Sequence, residues 1–192
     1  MIVIKITPQG FCVGVIKALS IAVNAAKDKS LPRPIYIIGN IVHNRFVSNA
    51  LKSYGLITVE DKEKSRTELL ENIEEGTVIF TAHGVSAEAI EIARKKGLYI
   101  INATCKYVNK TNIHIKNKLN LGYDVIYIGK RNHPEPEGAI SINPDRVHLV
   151  ENEDDIEKLT VNNPKITVTN QTTMSFRDIK LFTKKIRKRY PN

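Results

Sequence analysis

The chain has 192 residues, of which 42% are hydrophobic and 26% are charged, as in an ordinary globular protein with its own buried core. No apolar run approaches the roughly 18 residues that a membrane-spanning helix needs, so the sequence excludes a membrane span of that kind. The formal net charge of +9 suits a polyanionic partner, such as nucleic acid or a phosphorylated small molecule.

The opening residues predict a strand and not a secretion signal. They carry one early lysine, Lys5, and no small-residue cleavage site follows the short apolar stretch. We therefore expect a cytoplasmic protein with no membrane partner. In a reducing compartment Cys12 and Cys105 are expected to be free thiols or metal ligands, because structural disulfides are rare there.

Short runs rich in valine, isoleucine and tyrosine alternate with amphipathic stretches along the whole chain. The runs predict strands at 2–6, 34–39, 77–82, 99–104, 124–129 and 165–169. The stretches between them predict helices at 14–27, 44–54, 86–96, 108–120 and 174–190. This alternation is typical of parallel βαβ units, so the predicted fold class is α/β, with small, mostly parallel sheets flanked by helices.

Reactive or hydrogen-bonding residues follow nearly every predicted strand. The six clusters are Gly10-Phe11-Cys12, Val42-His43-Asn44, Ala82-His83-Gly84, Ala103-Thr104-Cys105, Asn132-His133-Pro134-Glu135 and Asn170-Gln171-Thr172-Thr173. Ligands bind at the carboxyl ends of parallel strands, because loops and helix N-termini converge there. One shared site at that edge would account for all six clusters.

The clusters also repeat along the chain. His43 follows Cys12 at about the spacing at which His133 follows Cys105, which predicts two pseudo-symmetric modules, 1–102 and 103–192. The same period would place a third cysteine shortly after Asn192. We therefore expect a third module to be absent from this chain.

The two cysteines do not make a complete metal site by themselves. Structural zinc takes four ligands and iron–sulfur clusters usually take four cysteines, although a cluster held by three leaves one iron open to substrate. Free cysteine is also among the most buried residue types. A shared metal site and two buried thiols therefore both remain open.

Three histidines, His43, His83 and His133, directly follow strands and precede helices. Imidazole donors and the backbone N–H groups of a helix start would together bind a phosphate group. A single loop histidine would mean little, but three in equivalent places predict a shared anionic ligand.

The HPEPEG stretch at 133–138 is either a rigid polar turn or the source of a proton donor. Its spacing does not decide whether Glu135 or Glu137 points inward. Gln171, Thr172 and Thr173 would supply hydrogen bonds to that carboxyl group if the strand ends meet.

Seven basic residues lie in the last predicted helix, where apolar residues recur at helical spacing. This pattern predicts an amphipathic helix with a solvated basic face. We expect no nucleic-acid partner, and duplex binding through this helix is the minor alternative.

Read together, six motifs resemble those of the 4-hydroxy-3-methylbut-2-enyl diphosphate reductase family, in the same order along the chain. They are GFCVGV at 10–15, VHN at 42–44, TAHGVS at 81–86, ATC at 103–105, HPEPEG at 133–138 and NQTTMS at 170–175. The resemblance implies that the chain belongs to the terminal enzyme of the methylerythritol phosphate pathway, which leads to isoprenoids. Such an enzyme reductively removes the allylic hydroxyl to give isopentenyl and dimethylallyl diphosphates.

The resemblance also implies a cofactor, partners and residue roles. The family has three α/β modules around a [4Fe-4S] cluster and receives electrons from ferredoxin or flavodoxin. Cys12 and Cys105 would be two of the three cluster ligands, and Glu135 would be the proton donor with Thr172 as its hydrogen-bonding partner. The substrate diphosphate would be bound by the three histidines, His43, His83 and His133. Gln171, Thr172 and Thr173 would also contact the substrate.

Two function classes therefore follow from the sequence. The first is the iron–sulfur reductase, here as an incomplete chain expected to be inactive alone or to hold a cluster only loosely. The second is a non-redox α/β module that binds a phosphorylated small molecule through its histidines. Iron content distinguishes the two.

Overall fold

The computed structural model of the chain describes residues 4, 7, 10–42, 44–61 and 63–191. Within these residues it has eight helices: α1 (Val13–Lys27), α2 (Arg45–Ser53), α3 (Arg66–Leu69), α4 (Ala87–Lys95), α5 (Lys106–Asn120), α6 (Pro134–Ile140), α7 (Glu153–Lys158) and α8 (Phe176–Arg189). The same residues form seven strands: β1 (Ile35–Ile38), β2 (Leu56–Val59), β3 (Thr77–Phe80), β4 (Tyr99–Asn102), β5 (Asp124–Ile128), β6 (Val147–Val150) and β7 (Ile166–Asn170).

The strands form two separate parallel sheets. The first has the order β2-β1-β3-β4 and the second has the order β6-β5-β7. Every strand pair in the described chain is parallel, with Ile35 opposite Thr77 in the first sheet and Asp124 opposite Ile166 in the second. The carboxyl ends of the strands in each sheet therefore share one edge, and the α/β fold class is confirmed.

The two sheets repeat one arrangement. In each, a 15-residue helix precedes the central strand, α1 before β1 and α5 before β5. The next two strands then add on opposite sides of that strand, giving β2-β1-β3 and β6-β5-β7. This repetition supports pseudo-symmetric modules, and the boundary between 102 and 103 stays a prediction.

Helices cover both faces of each sheet, as parallel strands require. All four residues of β3 and all five of β5 are buried. One core of the first sheet lies under α1 and contains Ala18, Ala22 and Ile79. The other lies under α4 and contains Phe80 and Ala93.

The predicted strands and helices over the described residues are confirmed to within two residues at their ends. The strand predicted at 2–6, apart from Ile4, lies outside the described residues. Five short elements were not predicted: β2, α3, α6, β6 and α7. None exceeds seven residues, which is too short for a helical or alternating hydrophobic pattern to stand out.

Interpreting HPEPEG as a turn is wrong. Pro134 begins α6, with His133 as its N-cap. Proline is tolerated in the first turn of a helix because no intrahelical partner exists there for a backbone N–H. The two prolines therefore start this helix, and Glu135 lies in its first turn.

The basic C-terminal segment forms α8 as predicted. Ile186 is buried and Phe182 packs beside it, against the second sheet. Lys180, Lys184 and Arg187 are exposed on the other side. Across the described residues, no helix combines the length and the apolar character needed to cross a bilayer.

We predict that two glycine substitutions separate backbone strain from steric conflict. Gly97 has φ +70° with open space around it, whereas a Cβ at Gly76, with φ +99°, would lie 2.1 Å from the Pro34 carbonyl oxygen. Gly97→Ala should cost about 1 kcal/mol of unfolding free energy, and Gly76→Ala clearly more. Urea denaturation measures both, and equal costs would contradict the close approach of Gly76 to Pro34.

Candidate functional site

Cys12 and Cys105 occupy equivalent places in the two predicted modules. Each is the N-cap of a 15-residue helix, α1 or α5, and neither side chain makes a capping hydrogen bond. Both are free thiols. The structure thus places one thiol at the start of each of these two helices.

The structure brings these two thiols together at Gly14. A Cβ built on Gly14 would lie 2.6 Å from the Cys105 sulfur and 3.9 Å from the Cys12 sulfur. Any other residue at position 14 would displace Cys105. The glycine thus leaves room for two thiols, drawn from separate modules, to face the same space.

His83 and His133 also meet across the two halves. Their rings are 5.5 Å apart, edge to face, with an interplanar angle of 85°. Both line a cleft of about 310 Å³. His43, the third predicted histidine, lies outside the described residues.

The protonation pattern of His133 is set by helix α6. Its Nδ1 accepts a hydrogen bond of 3.1 Å from the backbone N–H of Glu135. A nitrogen that accepts a hydrogen bond carries no hydrogen, so the neutral ring is protonated at Nε2. His133 therefore presents Nε2–H as its donor.

Glu135 is buried and joined to the end of β7. Its side chain is 2% exposed. The Thr172 backbone N–H donates to Oε1 at 2.7 Å, and the Thr172 hydroxyl donates to Oε2 at 2.9 Å. The predicted pairing of Glu135 with Thr172 is thus present in the structure, and it connects the start of α6 with the end of β7.

Burial has the largest effect on the pKa of Glu135. It raises the pKa of this carboxyl group above its usual value, and the hydrogen bonds from Thr172 and Tyr127 offset only part of that rise. Thr172 itself is exposed. A proton on the buried carboxyl group therefore has an accessible hydroxyl beside it.

Of the two glutamates in HPEPEG, only Glu135 contacts Thr172. Glu137 lines the same cleft as Arg66, a residue of α3 in the other half. Burial raises the pKa of Glu137, and the positive charge of Arg66 opposes this rise. Arg66 is 5% exposed, and burial lowers its pKa to about 10.

Gln171 and Thr173 are placed beside this pair. Gln171 is buried; its Oε1 accepts from the Lys130 backbone N–H at 3.0 Å, and its Nε2 donates to the Thr173 hydroxyl at 3.0 Å. The hydrogen bonds of both side chains thus stabilise the loops around Glu135. Their predicted contact with substrate stays a prediction.

Comparisons with known proteins agree with this geometry. Residues 3–192 match the family model described as LytB protein. The chain belongs to the LytB protein family. This confirms the family resemblance drawn from the six motifs.

Relatives of known name support the same family assignment. The chain is 56% identical over 192 residues to the 4-hydroxy-3-methylbut-2-enyl diphosphate reductase of Geobacillus kaustophilus. It is 54% identical over 191 residues to the enzyme of that name from Bacillus cereus. In both cases the match covers 100% of this chain and 60% of the relative, so the chain spans about three fifths of their length.

Solved structures of LytB reductases share the fold. One is the E-1-hydroxy-2-methyl-but-2-enyl-4-diphosphate reductase of Plasmodium falciparum, with a TM-score of 0.83 and 36% identity, covering 96% of this chain and 56% of that one. A second is described as (E)-4-hydroxy-3-methyl-but-2-enyl diphosphate reductase, the terminal enzyme of the non-mevalonate pathway. It gives a TM-score of 0.78 and 30% identity, covering 95% of this chain and 60% of that one.

Two residues of this site were missed by sequence reasoning. Tyr127 lies inside β5, and the sequence pattern marks it only as part of a run of strand-forming residues. A tyrosine in a buried strand needs a hydrogen-bond partner, which is a signal that was available. Arg66 lies in the short helix α3, and no pattern in the sequence marks it as buried.

We predict that the stability of the chain depends on pH through Glu135. Its pKa is raised from 4.5, so the folded state keeps a proton that the unfolded state releases. Stability therefore falls as pH rises from about 4.5 through the folded-state pKa. Urea denaturation between pH 4 and 8 should show wild type losing stability relative to Glu135→Gln over this window.

Two further results interpret that experiment. Glu75→Gln, on an exposed loop, controls for the change of charge and should leave the wild-type pH dependence in place. Parallel curves for wild type and Glu135→Gln would contradict the raised pKa of Glu135.

Proposed function

We propose that this chain provides two of the modules of a 4-hydroxy-3-methylbut-2-enyl diphosphate reductase, including its proton donor. The observation that carries the proposal is the Glu135–Thr172 pair, with hydrogen bonds of 2.7 and 2.9 Å, directly beside His133. The names of the relatives supply the reaction. The reaction would take place in the cytoplasm.

The reaction consumes two electrons and two protons. The carbon–oxygen bond of the allylic alcohol breaks, one proton leaves with the hydroxyl group as water, and the other ends on the hydrocarbon. Glu135 suits the first of these protons, because its raised pKa keeps a larger share of the carboxyl group protonated near neutral pH. Thr172, which is exposed, would pass the proton from the buried oxygen to the departing hydroxyl.

The histidines suit the diphosphate end of the substrate. His133 presents Nε2–H, since its Nδ1 is occupied by the Glu135 N–H, and His83 lies 5.5 Å away. Two imidazoles can each donate to a phosphate oxygen. Fixing the diphosphate here would hold the alcohol close to Thr172, which is catalysis by positioning. His43 is a predicted third member of this set.

The cysteine pair fits part of an iron–sulfur site. Both thiols are helix N-caps, neither is used in capping, and Gly14 leaves both sulfurs facing one space. Cys12 and Cys105 would hold a [4Fe-4S] cluster together with a ligand from outside the described residues. When bound, such a cluster would pass on, one at a time, the two electrons that ferredoxin or flavodoxin would deliver.

Within the part of the chain that the structure describes, no group of three or more histidine, cysteine, aspartate or glutamate residues is placed to hold a metal ion. Two thiolates are fewer than the three that such a cluster needs. We therefore expect the isolated chain to bind iron and sulfide weakly.

One prediction of the proposed function concerns the diphosphate site. His83→Ala and His133→Ala should each weaken binding of inorganic pyrophosphate about tenfold, because each removes one charge-assisted hydrogen bond. Isothermal titration calorimetry measures the change. His114→Ala removes an exposed histidine of α5 and should leave binding intact. Equal binding by all three variants would contradict the histidine site.

Another prediction of the proposed function concerns iron binding. After anaerobic reconstitution with iron and sulfide, wild type should bind iron that is lost during gel filtration. Cys12→Ala and Cys105→Ala should bind less, and Gly14→Ala should do the same because it displaces the Cys105 sulfur. Val13→Ala changes an exposed neighbour of Cys12 and serves as the control.

The reconstitution also separates the two function classes. A colourless wild-type chain that still binds pyrophosphate would favour the non-redox phosphate-binding module. A brown chain whose colour depends on both cysteines would favour the reductase.

A further inference from the structure

The phenol of Tyr127 has no part in the proposed reaction, yet it contacts the acid. Tyr127 lies in the middle of β5 and is completely buried. Its hydroxyl donates to Glu135 Oε1 at 3.3 Å. Among the described residues this is the one hydrogen bond found for the phenol, and a buried hydroxyl group without a partner would be costly.

The two carboxylate oxygens of Glu135 therefore have different surroundings. Oε1 accepts from the Thr172 backbone N–H and from Tyr127, whereas the one donor to Oε2 among the described residues is the Thr172 hydroxyl. A backbone N–H can only donate. A threonine hydroxyl can either donate or accept.

The Tyr127 phenol also acts as a fixed donor. Burial raises its pKa well above the usual range, so it keeps its hydrogen at neutral pH. No acceptor other than Glu135 Oε1 is present for it in the described structure. Two donors that cannot reverse thus point at the same oxygen.

We infer that Tyr127 is a positioning residue that keeps Oε1 unprotonated and so confines the transferable proton of Glu135 to Oε2, opposite the Thr172 hydroxyl. The inference rests on the proposed role of Glu135 as the acid. When Glu135 is protonated, Oε2–H donates to Thr172 Oγ1, and the threonine hydrogen is turned outward. Among the described residues, Thr172 Oγ1 is then the one acceptor to which Glu135 can transfer this proton.

This arrangement also limits how far burial can raise the pKa of the carboxyl group of Glu135. Each donor to the carboxylate stabilises the charged form, so removing the phenol should make the ionised form harder to reach. The 3.3 Å contact is the longest of the three. Its loss should therefore have a smaller effect than loss of the Thr172 hydroxyl, but in the same direction.

The test follows the pKa of Glu135 directly in this chain, without cluster or substrate. Glutamate labelled with ¹³C at Cδ gives a carboxyl resonance whose chemical shift titrates, and Glu135→Gln identifies the signal. Tyr127→Phe should raise the pKa of Glu135 by up to about one unit. Tyr36→Phe makes the same change on β1 of the other sheet and should leave the titration unchanged.

A second variant gives a shift of opposite sign. Replacing Tyr127 alone by 3-fluorotyrosine makes the phenol a stronger donor at almost the same size, so the pKa of Glu135 should fall. If Tyr127→Phe does not fold, as judged by circular dichroism, this variant decides the question. An unchanged pKa of Glu135 in a folded Tyr127→Phe, or in the fluorotyrosine chain, would overturn the inference.

Failure here is distinct from failure of the proposed function. The titration needs neither iron nor diphosphate, so an unchanged pKa beside normal pyrophosphate binding would reject only the role of Tyr127. Shifts of the expected signs in a chain that binds neither iron nor pyrophosphate would reject the reductase and leave the Tyr127–Glu135 coupling established.

Discussion

Burial of one carboxyl group beside one threonine holds the candidate site together. Glu135 belongs to the first turn of α6, and Thr172 follows the end of β7, so their two hydrogen bonds fix a helix start to a strand end. The same helix start also orients His133, whose Nδ1 accepts from the Glu135 N–H. A few neighbouring backbone groups therefore position the proposed acid Glu135, the proposed relay Thr172 and the proposed anion donor His133.

The repeated architecture explains why residues from distant parts of the sequence meet. Both modules start a long helix at a cysteine and end their strands at the same kind of edge. The modules differ where the chemistry differs: α2 is capped by Asn44, whereas α6 is capped by His133. The N-cap that accepts from backbone N–H groups is thus an amide side chain at the start of α2 and an imidazole ring at the start of α6.

The sequence was sufficient for the long elements and for the motifs, because strand-end polar residues follow directly from parallel βαβ geometry. The sequence did not predict contacts or burial that depend on a short helix. Tyr127 and Glu135 are eight positions apart, yet their contact depends on Pro134 starting a helix, and the sequence pattern of this stretch predicts no helix. The burial of Arg66 depends on α3, a single helical turn with no hydrophobic period to reveal it.

The contrast between the two glutamates of α6 shows why the surroundings decide the role. Both are removed from water, and burial raises the pKa of each. Glu137 shares its cleft with the buried Arg66, whose positive charge favours the ionised carboxylate. Among the described residues Glu135 has only neutral donors, and one of them, the Thr172 hydroxyl, can reverse to accept a proton. An acid must release its proton toward a group that can receive it, which is why Glu135, and not Glu137, is the proposed acid.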